Sequence, residues 1–184
     1  PHFGDLGKLR ELVNTCHAFG IKVILDIVCN HVGQLFYYDI NLNGAPDESL
    51  SGSGTSTSLT RITEYDPDWQ ANGVQAQVGG FTQGPAPIRW IHDPAIYRLP
   101  PEPAEFQNEA WYNRKGRVID WNDKTQVLYG DFPGGLKDLD TSRSDVRDAL
   151  IGAFRFWLEN VDFDGLRIDT VKHVEVDFWV DFCT

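Results

Sequence analysis

Gly165-Leu166-Arg167-Ile168-Asp169 is a short run in which the charged residues share one parity and the larger apolar residues the other. Along a strand the side-chain period is two, so Arg167 and Asp169 point one way while Leu166 and Ile168 point the other. Upstream stands a second run, Ile21-Lys22-Val23-Ile24-Leu25-Asp26-Ile27-Val28. It is nearly continuous in apolar, largely β-branched residues, as expected for a parallel strand covered on both faces, and Ile24, Asp26 and Val28 share one of those faces. Each run follows a helical pattern. Before the first, Leu6, Leu9, Val13 and Cys16 fall at three-then-four spacing over residues 6–19, with Gly20 as the stop. Before the second, Val146, Leu150, Phe154, Trp157 and Val161 predict a helix from Ser144 to about Asn160, capped by Ser144 or Asp145. A further helix is expected near Val176. Helix then strand, twice over, makes the chain an α/β protein built from a stretch of β/α repeat.

Between these ordered parts, residues 33–135 hold nearly all the prolines, a Ser/Gly/Thr stretch at Ser49–Ser58 and many scattered aromatics. A structureless loop of that length is foreign to a compact domain, so the segment is expected to be a small inserted subdomain with short strands of its own, Tyr97–Leu99 and Arg117–Trp121 among them. The organisation read from sequence is therefore 1–32, 33–135 and 136–184. Trp69, Trp90, Tyr97, Trp111, Tyr112 and Trp121 are expected mainly to build the core of a segment poor in aliphatic runs, with sugar stacking left for the remainder. Asp47, Glu48 and Glu105 read as solvated.

The chain has 184 residues, 41% of them hydrophobic and 12% aromatic, enough for a real interior. Its net charge of -11 disfavours nucleic acid or an anionic membrane as partner, because phosphate is bound by clustered Lys and Arg. No apolar run reaches the length of a membrane span, and Pro1-His2-Phe3-Gly4-Asp5 lacks the layout of a signal peptide and an initiator Met, as expected of a processed or excised piece. Cys16, Cys29 and Cys183 are scattered and odd in number, which argues for small buried apolar residues rather than a disulfide framework or a zinc site.

Asp26, Arg167 and Asp169 gather toward the C-terminal ends of their strands, the face on which β/α barrels carry active sites. Burying any of them costs several kcal/mol unless it is paired. The same pattern also suits an Arg–Asp pair that merely closes a barrel layer, and spacing leaves both readings open.

At these residues a family resemblance enters. Asp26-Ile27-Val28-Cys29-Asn30-His31 resembles the first signature of the alpha-amylase family of glycoside hydrolases, and Asp164-Gly165-Leu166-Arg167-Ile168-Asp169-Thr170-Val171-Lys172-His173 resembles its second. Leu136-Lys137-Asp138-Leu139-Asp140 is similar to the segment that ends the family's inserted domain B, with Lys137 where a proline is common, and Thr170 stands where Ala is frequent. The resemblance implies a partial TIM (β/α)8 barrel, from strand three through domain B to strand four. It implies Asp169 as nucleophile, with Arg167 keeping it ionised and oriented, since a nearby cation favours a charged carboxylate. It implies Asp26 and His31 at the sugar where cleavage occurs, and Lys172 and His173 on the leaving-group side. A retaining glycosidase needs a second carboxyl group about 5–5.5 Å from the first. In the family that acid is a Glu from the next strand, with a further Asp from a later one, and the sequence ends at Thr184 before either. Glu175 follows Asp169 too closely to serve, so the 184 residues alone are expected to be catalytically incompetent.

The same resemblance implies a structural Ca²⁺ held by Asn30, Asp138 and the backbone carbonyl of His173, a donor set suited to calcium's preference for oxygen. Read without it, Asn30 caps a turn and Asp138 is a solvated acid; Asp120 and Asp123 are further candidates. The implied partner is an α-glucan oligosaccharide or polysaccharide, cleaved at α-1,4 bonds by a retaining hydrolase of starch, glycogen or maltodextrin. A transglycosylase or isomerase on the same scaffold is the nearer alternative, and a non-catalytic carbohydrate-binding relative the more distant one. An extracellular or periplasmic location is favoured, and the sequence does not set the oligomeric state.

Overall fold

A computed structural model describes residues 4–51, 60–93 and 101–184. The chain divides into two compact units, one formed by Pro1–Cys29 with Thr141–Thr184 and the other by Asn30–Asp140. Among the described residues no helix is long and apolar enough to cross a membrane.

The first unit opens with α1 (Leu6–Ala18) and β1 (Ile24–Val28). Asp5 caps α1 by accepting from Lys8 N at 2.9 Å, satisfying one of the amides a helix start leaves open. At the other end Gly20 adopts φ +72°, with Gly20 N donating to His17 O and Ile21 N to Cys16 O, both at 2.9 Å. That paired closure ends a helix with glycine in the left-handed region. It also uses Ile21 in the turn, which is why β1 begins at Ile24 rather than at Ile21. Val13 is buried, and Leu6, Leu9 and Cys16 are half-buried on the predicted face.

The chain then enters the second unit through β2 (His31–Val32) and β3 (Phe36–Tyr38), followed by β4 (Glu48–Ser51), β5 (Thr60–Thr63), β6 (Gln75–Val78), β7 (Phe81–Pro85) and β8 (Ile88–Trp90). After two short 3-10 turns come α2 (Lys124–Tyr129) and β9 (Lys137–Asp138). The strands pair antiparallel as β2–β9, β3–β8, β4–β5 and β6–β7. Aromatics supply much of the interior: Phe36 meets Tyr38, Trp90 and Tyr112 edge to face at 5.5, 5.4 and 5.1 Å. Trp111 and Tyr112 are buried and Trp90 half-buried, whereas Trp121 stays 46% exposed. Arg117–Trp121 is not a strand. Arg117 forms single bridges to Asp68 and Asp131, because Gly116, at φ +77°, passes so close to the neighbouring loop that a Cβ would stand 2.6 Å from the carbonyls of Pro67 and Asp68. Tyr97–Leu99 lies outside the described residues.

Lys137 is wholly buried. Its Nζ donates to Tyr65 O, lies 3.5 Å from Asp131 Oδ2, and sits 4.9 and 4.7 Å from the ring centres of Phe36 and Tyr38. Burial pulls its pKa down, while Asp131 and Asp66 oppose the shift. The lysine thus supplies a cation where two buried carboxylates need one, which a proline does not.

Returning to the first unit, the chain forms α3 (Ser144–Val161), β10 (Gly165–Asp169) and α4 (Val176–Phe182). Arg143, not Ser144 or Asp145, occupies the N-cap of α3. Asp145 is drawn instead to the Arg143 guanidinium, at 2.9 and 2.8 Å. Val146, Leu150 and Val161 are buried and Phe154 half-buried, but Trp157 is 37% exposed. β1 and β10 pair in parallel, in register Ile24 with Gly165, Asp26 with Arg167 and Val28 with Asp169. Asp164, just before β10, accepts from Val23 N at 2.7 Å and Lys22 Nζ at 3.1 Å and lies 2.9 Å from His17 Nε2, so one carboxylate joins the exit of α1 to the start of both strands. The sheet is not covered on both faces here: Ile27 is buried, but Ile24 is 60% exposed on the face it shares with Asp26. Of the cysteines, Cys29 is buried, with its thiol pushed up to about 12 by desolvation, Cys16 is half-buried, and Cys183 is exposed.

Candidate active site

Parity and register together place Asp26, Arg167 and Asp169 on one face at the C-terminal ends of β1 and β10. Arg167 Nη1 lies 2.5 Å from Asp26 Oδ2 and 3.7 Å from Asp169 Oδ2. The guanidinium therefore bridges the two carboxylates and is bonded more closely to the one on the neighbouring strand. Asp26, and then Asp169, raise its pKa further above its ordinary value. The side chains are 58%, 54% and 52% exposed for Asp26, Arg167 and Asp169, and at that exposure the ion pairs add little to stability. Asp169 Oδ1 accepts from Thr170 N at 2.8 Å, while its Oδ2 faces Arg167. Thr170 holds φ +57°, a costly conformation for a β-branched residue, and its buried Oγ1 has no hydrogen-bond partner. What this sharp turn achieves is orientation: one carboxylate oxygen is tied to the backbone and the other is presented beside a cation. Such a carboxylate is suited to attack an electrophilic carbon.

A 3-10 turn over Val171–His173 follows, leaving Lys172 exposed and His173 buried. Glu175 occupies the N-cap position of α4 without a side-chain cap bond; its Oε2 accepts from Thr141 Oγ1, and its buried Oε1 has no hydrogen-bond partner.

In the second unit β2 and β9 set His31 opposite Asp138, and Leu139 N donates to Asn30 O at 2.7 Å, bringing Asn30, His31 and Asp138 together. Asn30 is fully buried, with its Oδ1 2.9 Å from His31 Nδ1 and no partner for Nδ2. A half-turn of that amide would put an oxygen in place of the unpartnered nitrogen, as a cation ligand requires. Asp138 is 1% exposed rather than solvated. Its Oδ2 accepts from Asn113 Nδ2 at 2.8 Å and its N donates to Asp131 Oδ1 at 2.9 Å. Buried oxygen donors of this kind fit calcium chemistry. Asp123 and Asp120 are committed elsewhere: Asp123 caps α2 through Thr125 N, and Asp120 closes a turn on Asn122 N. Among the described residues no group of three or more His, Cys, Asp or Glu gathers as a metal site, a test that leaves out amides and carbonyls.

Two groupings were not anticipated from sequence. One is the Tyr38–Asp131–Lys137 network, with Tyr38 OH donating to Asp131 Oδ2 at 2.8 Å; Tyr38 and Asp131 lie 93 residues apart, and no local pattern joins them. The other, Asp39 to Asp47, carries a spacing that could have been seen: Asp39-Ile40-Asn41-Leu42-Asn43-Gly44 alternates oxygen-bearing side chains and ends on glycine.

Parallel strands each entered from a helix, with charged side chains at their C-terminal ends, are the framework of a β/α barrel that carries its chemistry at the strand ends. The chain belongs to the alpha-amylase family, matching its catalytic domain over residues 1–181. It is 28% identical over 191 residues to an alpha-amylase of Streptomyces lividans, covering 100% of this chain and 19% of that protein. It is 27% identical to a cyclomaltodextrin glucanotransferase of Klebsiella oxytoca, covering 96% and 20%. Among solved structures it is similar to the alpha-amylase from Geobacillus thermoleovorans complexed with acarbose, with 29% identity and a TM-score of 0.55 over 99% of this chain and 26% of that one. The chain thus spans about a fifth to a quarter of the relatives it matches.

Proposed function

We propose that this chain is the nucleophile-bearing part of a retaining glycosidase that cleaves α-1,4-glucosidic bonds in starch, glycogen or maltodextrins. The observation that carries the reading is the placement of Asp26, Arg167 and Asp169 on one face of adjacent parallel strands. In this reading Asp169 attacks the anomeric carbon. The bond to the glycosidic oxygen breaks, and that oxygen takes a proton from a general acid supplied outside the described residues. Water then adds to the anomeric carbon, giving a proton back to that same acid group, and the bond to Asp169 breaks to free its carboxylate. Arg167 orients Asp169 and ties it to Asp26. Asp26 and His31 contact the sugar at the cleavage point, and Lys172 and His173 line the leaving-group side. Asn30 and Asp138, with the carbonyl of His173, would hold a structural Ca²⁺.

The similarity to a cyclomaltodextrin glucanotransferase favours a second reading, in which a sugar hydroxyl instead of water takes the glycosyl group. The chemistry at Asp169 is the same in both. A non-catalytic relative would be expected to lose Asp169 or Arg167, and both are present here. The test is Asp169→Asn in the full-length protein, expected to lower turnover by about 10⁴-fold or more with ligand binding and melting temperature nearly unchanged. Activity within tenfold of the parent would remove the nucleophile assignment.

A further inference from the structure

We propose that Trp121 is a sugar platform, on which a glucose unit further along the α-glucan than the one at His31 is stacked, an inference that rests on the reading of His31 as a sugar contact. Its consequence is a preference for longer chains. Among the described tryptophans of the inserted unit, Trp111 is buried and Trp69 and Trp90 are half-buried, whereas Trp121 is 46% exposed. The indole is the outer end of a row of three rings. Trp121 meets Phe132 edge to face at 5.6 Å, and Phe132 in turn lies 4.7 Å from His31, with the two planes tilted by 33°. All three belong to the inserted unit, so a single ring separates the open indole from the imidazole. Backbone pairing fixes the inner two. His31 stands opposite Asp138 in the β2–β9 pair, and Phe132, just before β9, exchanges bonds with Leu136 at 3.0 and 3.2 Å.

An exposed aromatic is by itself ordinary. What sets Trp121 apart is how firmly its turn is held from below. Gln126 is buried, and its Oε1 accepts from Ile119 N and Asp120 N, both at 3.1 Å, while its Nε2 donates to Asp123 Oδ2 at 3.2 Å. Across the turn Asp123 N donates to Asp120 O at 3.2 Å, and Asn122 N to Asp120 Oδ1 at 2.9 Å. One buried amide thus pins both sides of a residue whose ring stays open to solvent. A ring fixed in advance loses little freedom when a ligand lands on it. Pyranose rings offer apolar C–H faces bounded by hydroxyls, and an indole supplies a broad, rigid, apolar surface to match. Asp120 and Asn122, both exposed, flank the indole with the carboxylate and amide that hydroxyls bond. An apolar patch with a few polar groups at its edge is the usual make-up of a small-ligand site.

Titration calorimetry with maltose and with maltoheptaose, on the full-length protein carrying Asp169→Asn, tests the platform by binding alone. Lengthening the sugar is expected to tighten binding. Adding Trp121→Ala should cut that gain by about tenfold, and adding Trp121→Tyr in its place should keep most of it, because a smaller aromatic ring still stacks. The ratio of the two affinities is the readout, since a ring that merely props Phe132 and His31 would weaken short and long sugars alike. An unchanged ratio in Trp121→Ala, an equal loss for both sugars, or a Tyr variant as poor as the Ala variant would overturn the platform and leave the α-glucan reading standing. Failure of the Asp169→Asn protein to bind either sugar would overturn that reading, and the platform with it.

Discussion

Asp164 shows how much organisation one side chain supplies. The Val23 amide, then His17 and Lys22, hold its carboxyl far below the usual carboxylate range. A folded pKa below the unfolded one means that the stabilisation is complete above the ordinary carboxylate pKa, about 4, and is lost as pH falls through the folded value. Asp164→Asn should therefore lower the melting temperature by several degrees at pH 7, and the gap should narrow steadily below about pH 4, as followed by circular dichroism. A gap that is constant across that range would show that the carboxylate's charge is not what matters. The neighbouring site was only partly legible. Alternation placed Asp26 on one face of its strand and Arg167 with Asp169 on one face of theirs, because side-chain parity is local. Parity does not set register, however, so the closer bond of Arg167 to Asp26 than to Asp169 emerged only from the pairing of the strands.

Among the elements, α1, α3 and β10 were legible because an amphipathic period or a clean alternation runs through each. Their ends were less so. The closure at Gly20 takes residues that read as strand, and Arg143 displaces two better capping residues because its own side chain captures Asp145. The inserted unit was legible only as irregular. Its strands run from two to five residues, too short for a period to show, and two of the pairings, β2–β9 and β3–β8, join segments distant in sequence. Gly116 is the sharpest of these, since φ +77° and carbonyls at 2.6 Å leave no room for a methyl group. Gly116→Ala is expected to cost about 3 kcal/mol in denaturant unfolding. A loss below about 0.5 kcal/mol would mean that the loop at Pro67 and Asp68 yields easily.

The whole chain carries a barrel fragment's exposure. Among the described residues β1 pairs only with β10, and Phe19, Ile24, Val176 and Val180 are 78%, 60%, 77% and 61% exposed. Unpaired strand edges beside apolar surface favour self-association. The 184 residues produced alone should sediment as species that grow with concentration, whereas a monomer at every concentration would contradict this. The inserted unit differs in one respect. Its two ends lie together, with Leu139 N donating to Asn30 O at 2.7 Å beside the β2–β9 pair. A segment whose ends already touch makes no demand on the span of the chain that carries it. Such an insert can be lengthened, trimmed or exchanged like a cassette without disturbing the register that sets Asp26 beside Arg167.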